Sequence, residues 1–157
     1  AAVTGPCAAG HYCPASSTGA KENPCPGGTF RSSTGGTASS DCSSCPAGSF
    51  CPSGSTSGTT CPIGYFCPAG QKYAQPCPQG SYGTGTGKTS SAGCQLCDAG
   101  KYCATLAALA PTGLCDPGYH CISGATSPQP TDGTTGRLCP AGKYCILGTT
   151  SPQSCPA

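Results

Sequence analysis

Apolar positions in this chain recur as one short unit rather than as the inward faces of a single globular core. The unit reads Cys-Pro-x-Gly-x-(Tyr/Phe)-Cys and is spelled out at Cys139-Pro140-Ala141-Gly142-Lys143-Tyr144-Cys145. It opens at Cys7, Cys25, Cys45, Cys61, Cys77, Cys97, Cys115 and Cys139, and a ninth copy starts at Cys155. Glycine falls three residues on each time, from Gly10 to Gly142, and two residues later comes Tyr12, Phe30, Phe50, Phe66, Tyr82, Tyr102, His120 or Tyr144. Polar Ser/Thr/Gly runs fill the intervals. A unit restated this often predicts a linear array of small modules.

Residue types set the local geometry. Pro presets the second position of a turn and Gly suits the fourth, so Cys-Pro-x-Gly reads as a type I turn. The aromatic residue that follows suits a short strand packed on a disulfide. Two long modules, Cys25 to Cys42 and Cys77 to Cys94, share one spacing, and each is followed by a C-x2-C step. Gly35-Gly36 and Gly83-Thr84-Gly85 are the expected chain reversals within them. Ala104 to Ala110, stopped by Pro111, is the helix-friendly stretch and predicts at most one turn. The expected fold class is small and disulfide-rich: tandem cysteine-rich modules of turns and short antiparallel β ribbons, forming an elongated rod with almost no helix.

The order predicts a short module over 1–24, a long one over 25–44, two short ones over 45–76, a long one over 77–96, two short ones over 97–138, and over 139–157 a short module and the start of the next. The long modules are expected to close Cys25 to Cys42 and Cys77 to Cys94. For the short modules two pairings fit the count. A local scheme joins each first Cys to the one six residues on and leaves Cys155 over. A crossed scheme joins Cys45 to Cys61, Cys51 to Cys67, Cys97 to Cys115, Cys103 to Cys121 and Cys139 to Cys155, with Cys7 and Cys13 paired upstream or with each other and Cys145 paired outside the segment. An extended run from Gly48 to Cys51 would hold a local pair too far apart and so favours crossing, yet residues alone leave both schemes open.

Composition sharpens this picture. The chain has 157 residues with 17 Cys, 25 Gly and 17 Pro, no Met or Trp, and only 36% apolar residues. Such a chain buries too little apolar area to offset its chain entropy, so covalent staples must hold it. Disulfides persist in oxidising compartments, which points to an extracellular or cell-surface location. The net charge of +2 comes from scattered single charges, with no basic patch for nucleic acid and no apolar run long enough for membrane insertion. The first unit opens within seven residues and the ninth stops after three, so both ends are expected to be cuts through a longer array or ends of a processed chain.

The stretches CPGGTF…CSSCPAGSF, from Cys25 to Phe50, and CPQGSY…CQLCDAGKY, from Cys77 to Tyr102, resemble the ephrin-receptor-like cysteine-rich repeat, itself similar to the modules of tumour-necrosis-factor receptors. The resemblance covers essentially the whole chain. It implies a long module that closes its own ribbon and a crossed pairing of the four Cys that follow. The C-P-x-G-x-Y-C short form departs from the receptor spacing and looks like tandem arrays in large secreted proteins of protists and algae.

Chemistry-bearing residues are few. The two C-x2-C steps lie far apart, so no metal site is expected. His11 and His120 sit at the aromatic-strand position and read as half-exposed strand residues. The five acids fall in turns and links, so no catalytic constellation, cofactor site or enzyme is expected. Ser and Thr clusters near Pro offer candidate O-glycan acceptors: Thr18, Ser32, Ser33, Thr34, Ser57, Thr59, Thr60, Thr126, Ser127, Thr150 and Ser151. Of the ten apolar residues outside the motif, seven lie from Leu106 onward, as loop filling or as a lateral packing surface between copies. The expected function is an extracellular structural segment of a filament or cell-surface fibre, like a flagellar hair, with glycans and further copies of itself as partners. The alternative is the ligand-binding ectodomain of a receptor of the same repeat type.

Overall fold

The computed structural model describes residues 5–156. Among these residues there is no α-helix, and the sixteen strands are two or three residues long. They pair antiparallel as eight ribbons. β1 (His11–Tyr12) pairs with β2 (Asn23–Pro24), β3 (Thr29–Phe30) with β4 (Ser43–Ser44), β5 (Ser49–Phe50) with β6 (Thr59–Thr60), and β7 (Tyr65–Phe66) with β8 (Gln75–Pro76). β9 (Ser81–Tyr82) pairs with β10 (Gln95–Leu96), β11 (Lys101–Tyr102) with β12 (Gly113–Leu114), β13 (Tyr119–Cys121) with β14 (Gly136–Leu138), and β15 (Lys143–Tyr144) with β16 (Gln153–Ser154). In every ribbon the residues after the motif glycine meet those just before the next motif cysteine. Short modules therefore form ribbons as the long ones do.

Two compact units result. One takes the chain to Pro62 together with Phe66–Gln75 and Thr86–Ser90; the other takes Ile63–Tyr65, Pro76–Gly85 and the chain from Ser91.

The motif turn sits one residue later than its sequence suggests. Thr29 N–H donates to Pro26 O at 3.0 Å, Ser49 to Pro46 at 3.2 Å, Ser81 to Pro78 at 3.1 Å and Lys143 to Pro140 at 3.1 Å. Gly is thus the third turn residue, and its φ runs from +76° at Gly142 to +90° at Gly28. That positive φ is the type II signature, which Gly adopts freely and an L side chain resists. The left-handed step folds the chain back on itself instead of letting it run extended.

This reversal overturns the crossed disulfides. The bridges are Cys7–Cys13, Cys45–Cys51, Cys61–Cys67, Cys97–Cys103, Cys115–Cys121 and Cys139–Cys145, with Cα–Cα separations from 5.7 to 6.3 Å. Cys45 does not bridge Cys61, nor Cys51 Cys67, Cys97 Cys115, Cys103 Cys121 or Cys139 Cys155, because the first member of each pair is already bridged within its own turn. Cys155 is unbridged and exposed. The long modules close Cys25 to Cys42 and Cys77 to Cys94, each at 5.8 Å. Arg31 and Gly83 stand at the position that holds the second Cys of a short module.

Successive modules are joined by a recurring set of main-chain hydrogen bonds. The first is from the next motif cysteine to the motif glycine: Cys45 N–H donates to Gly28 O at 2.9 Å and Cys97 to Gly80 at 2.8 Å. The second runs from the motif glycine forward: Gly28 N–H donates to Cys51 O at 2.8 Å and Gly80 to Cys103 O at 2.9 Å. The third and fourth come from a second left-handed turn beyond the second cysteine. Gly54 N–H donates to Cys25 O at 2.9 Å and Gly124 to Cys97 O at 2.8 Å, while Ser55 O and Ala125 O accept from Arg31 and Cys103 at 3.1 and 2.8 Å. The glycines placed as reversals of the long modules belong to this scheme. Gly35 N–H donates to Cys7 O, Gly36 O accepts from Cys13, and Gly83 N–H donates to Ala108 O.

Ala104 to Ala110 is not helical. Ala107 fills the second-turn glycine position at φ +55°, and its N–H donates to Cys77 O at 2.9 Å. The two single turns of 3-10 helix lie elsewhere, at Ser39–Asp41 and Ser91–Gly93.

Sulfur is the core. Cys25, Cys45, Cys51, Cys61, Cys67, Cys77, Cys97, Cys103, Cys115 and Cys121 are fully buried, while Leu106, Leu109 and Leu138 are exposed. In the second unit Tyr82 and Ala108 pack on Cys97 and Cys103, and Tyr102 and Ala125 pack on Cys115 and Cys121.

Two measurements check this architecture. Proteolytic cleavage between Cys51 and Cys61 under non-reducing conditions is expected to leave no covalent link across the cut; fragments joined through Cys45 and Cys61 would restore the crossed scheme. Gly80→Ala and Gly142→Ala both place a side chain at positive φ, which costs roughly 1–2 kcal/mol. A carbon on Gly80 also lands on Gly124 O, whereas one on Gly142 meets nothing within 4 Å. Gly80→Ala is expected to lower the melting temperature clearly more than Gly142→Ala.

Candidate functional site

The features capable of function lie on the loops between ribbons. Acidic side chains close these loops. The Asp132 carboxylate accepts from Thr134 N–H at 2.8 Å, Thr135 N–H at 2.7 Å and the Thr135 hydroxyl at 2.6 Å. The Thr135 hydroxyl and N–H hold its pKa down at about 2. Asp41 accepts from Thr37 N–H at 2.7 Å and Ala38 N–H at 3.2 Å, and these main-chain donors, Thr37 first, lower its pKa. Glu22 takes the N–H groups of Thr18 and Gly19. All three carboxylates act as loop staples. Arg31 does comparable work from the opposite sign: its Nη1 donates to Asp41 O at 2.9 Å and its Nη2 to Thr34 O at 3.2 Å.

The sugar-acceptor candidates fall largely where an acceptor must be. Thr18, Ser32, Ser33, Thr34, Ser57, Thr59, Thr60, Thr126, Thr150 and Ser151 are exposed. Ser127 is half-buried, and its hydroxyl accepts from Gln129 N–H at 3.2 Å. Thr59 and Thr60 form β6, while the others lie in loops and turns.

The apolar residues outside the motif stand on the surface, and those described all belong to the second unit. Ile63, Leu96, Leu106, Leu109, Leu114, Ile122, Leu138, Ile146 and Leu147 are all exposed, and Val3 lies outside the described residues. Several lie across glycines of other modules: Leu114 over Gly148, Leu109 over Gly64 and Leu96 over Gly124.

His11 is half-buried, as expected of a strand residue, but His120 is buried at 5% exposure and its Nδ1 has no hydrogen-bond partner among the described residues. His120 takes the sequence position that Tyr82 holds in its own module. A cavity of about 270 Å³ lies beside the first module, walled by Pro6, Cys7, Cys13, Pro14, Gly35 and Thr37 among others, with no ionisable side chain in its lining. Among the described residues no group of His, Cys, Asp or Glu could hold a metal ion, and no helix is long and apolar enough to cross a membrane.

Sequence reasoning passed over the second-turn glycines Gly54, Gly70, Gly124 and Gly148. Their signal was present: Cys51-Pro-Ser-Gly54 and Cys67-Pro-Ala-Gly70 echo the opening Cys-Pro-x-Gly. Compared with protein-family models the chain matches none, and no curated protein is similar enough to count as a relative.

The acidic staples give a pH dependence with a definite sign. The folded-state pKa of Asp132 lies below its ordinary 3.8, so the stability it adds is present above that value and is lost as pH falls through about 2. The amide proton shifts of Thr134 and Thr135 are expected to titrate with a midpoint near that lower value in the wild-type chain and not at all in Asp132→Asn.

Proposed function

We propose that this chain is a structural segment of an extracellular filament or cell-surface fibre, with O-linked sugars on its loops and further copies of the same array as its partners. The observation that carries the reading is the junction: one set of main-chain bonds recurs from module to module, for example at Gly28 and at Gly80. A contact made of backbone groups can be repeated without a dedicated side chain at each step, and this is the property a fibre needs. A heterologous contact that does not close on itself propagates into a polymer. Eight disulfides among 17 cysteines belong to an oxidising compartment, in keeping with secretion. Charged residues make up 8% of the chain, so repulsion between neighbours is weak and hydrophilic sugars would supply solubility.

The resemblance to receptor repeats implies a crossed pairing of the four cysteines that follow a long module. Here every bridge stays inside one module, and this favours the structural reading over a ligand-binding ectodomain. Electron microscopy and intact-mass measurement of native material test the proposal. Regular polymers with mass above that of the polypeptide are expected. Unmodified, monodisperse monomers at high concentration would defeat it.

A further inference from the structure

We propose that the threonine two residues beyond the second-turn glycine is the preferred acceptor of O-linked sugar, at Thr56, Thr89, Thr126 and Thr150; the inference rests on the glycan-bearing reading above. Four copies of one pattern mark the position: Gly54-Ser55-Thr56-Ser57, Gly87-Lys88-Thr89-Ser90, Gly124-Ala125-Thr126-Ser127 and Gly148-Thr149-Thr150-Ser151. Two lie in each compact unit. All four threonines are exposed.

The main chain just before each is fixed from both sides. The glycine N–H donates to a motif cysteine of the preceding module, and the residue after it accepts from that module's own chain. At Thr126 these are Gly124 N–H to Cys97 O and Cys103 N–H to Ala125 O, both at 2.8 Å. At Thr150 they are Gly148 N–H to Cys115 O at 2.8 Å and Cys121 N–H to Thr149 O at 3.1 Å. The threonine is the first residue beyond an anchored dipeptide.

The side chain is oriented as well. A carbon built on Gly10 would meet Thr56 Cγ2 at 3.4 Å, one on Gly80 would meet Thr126 Cγ2 at 3.2 Å, and one on Gly100 would meet Thr150 Cγ2 at 3.1 Å. At these three sites the γ-methyl therefore lies over the motif glycine two modules back; Thr89 shares the anchored turn, with Gly87 O against Gly48. With a β-branched side chain so held, χ1 is restricted and the hydroxyl is displaced from the methyl's contact toward solvent. None of the four hydroxyls donates a hydrogen bond among the described residues. Four nearby hydroxyls are by contrast engaged: Thr29 with Pro26 O, Ser55 with Pro52 O, Thr149 with Ile146 O, and Thr37, at the same place in its own module, with the Asp41 carboxylate. An exposed, pre-oriented, unengaged hydroxyl on a rigid turn presents the same target to one transferase at each site.

The transfer balances with a sugar nucleotide as donor. Threonine Oγ attacks the anomeric carbon, and a carbon–Oγ bond forms as the carbon–oxygen bond to the diphosphate breaks. The hydroxyl proton passes to the transferase base and the nucleoside diphosphate leaves. Site mapping of native protein by alkaline β-elimination with thiol tagging, read by fragment mass spectrometry, tests the assignment. Tags are expected at Thr56, Thr89, Thr126 and Thr150. Sugar confined to other positions, such as Ser32 to Thr34, would overturn the inference and leave the glycan reading intact; sugar nowhere would sink both. The quadruple Thr→Val variant keeps the packed methyl and is expected to fold with all eight bridges while losing most of its carbohydrate mass. Unchanged carbohydrate mass in that variant would overturn the proposal even if the native map were incomplete.

Discussion

Six of the eight motif glycines, all but Gly118 and Gly142, are placed under two constraints at once. Their φ lies in the left-handed region, and the bare α-carbon of each backs onto a main-chain carbonyl of the module after next: Gly10 onto Gly54, Gly28 onto Gly70, Gly80 onto Gly124 and Gly100 onto Gly148 among them. The first constraint excludes most L residues on conformational grounds, the second excludes all of them on space. From these follow the type II turn, the return of the second cysteine to bridging distance, and the approach of modules close enough for backbone groups to pair. Main-chain bonds replace the apolar interface that a chain with so few large side chains cannot build.

The disulfides then take a subsidiary geometric role and a dominant energetic one. In the chain-entropy description each six-residue closure contributes about 2 kcal/mol and each 17-residue closure about 3 kcal/mol. These contributions act inside modules, where the turn has already set the distance. Between modules, buried sulfur supplies the apolar surface on which Tyr82 and Tyr102 rest. The leucines are released from core duty, which is why Leu106 and Leu138 stand in solvent.

Much of this was legible in the sequence because the signals were local. The spacing of Cys25 and Cys42, the recurrence of Gly three residues after each motif Cys, and the shortage of apolar residues all speak about neighbours in the chain. What escaped depended on one dihedral sign. Reading Gly48 as the last residue of a type I turn leaves the chain extended to Cys51 and forces the cysteines to look outward; reading it as the third residue of a type II turn brings them together. The junction was hidden for a different reason. It is made by main-chain groups of Gly28, Cys51, Gly54 and Cys25, and backbone donors and acceptors are the same in every residue, so no residue type advertises them. Hydroxyl engagement was hidden as well, because sequence cannot tell a free hydroxyl, such as that of Thr126, from one held by its own turn, such as that of Thr149.

The confinement of each bridge to its own module has a mechanical meaning. Tension along this chain crosses a short module through its sulfur–sulfur bond and bypasses the residues inside the loop. The load then reaches the next module through the single strand between Cys51 and Cys61, or its equivalents, in parallel with the junction hydrogen bonds. Opening one junction frees only that short inter-bridge segment, at about 3.3–3.6 Å per residue. The long modules withhold more chain, since Cys25–Cys42 and Cys77–Cys94 each span a separation of 17 residues against six for the others, and only Ser43-Ser44 or Gln95-Leu96 separates them from the next bridge. Under tension the chain would lengthen in small, separate steps and recoil by remaking backbone bonds, with its covalent cross-links never called on to exchange.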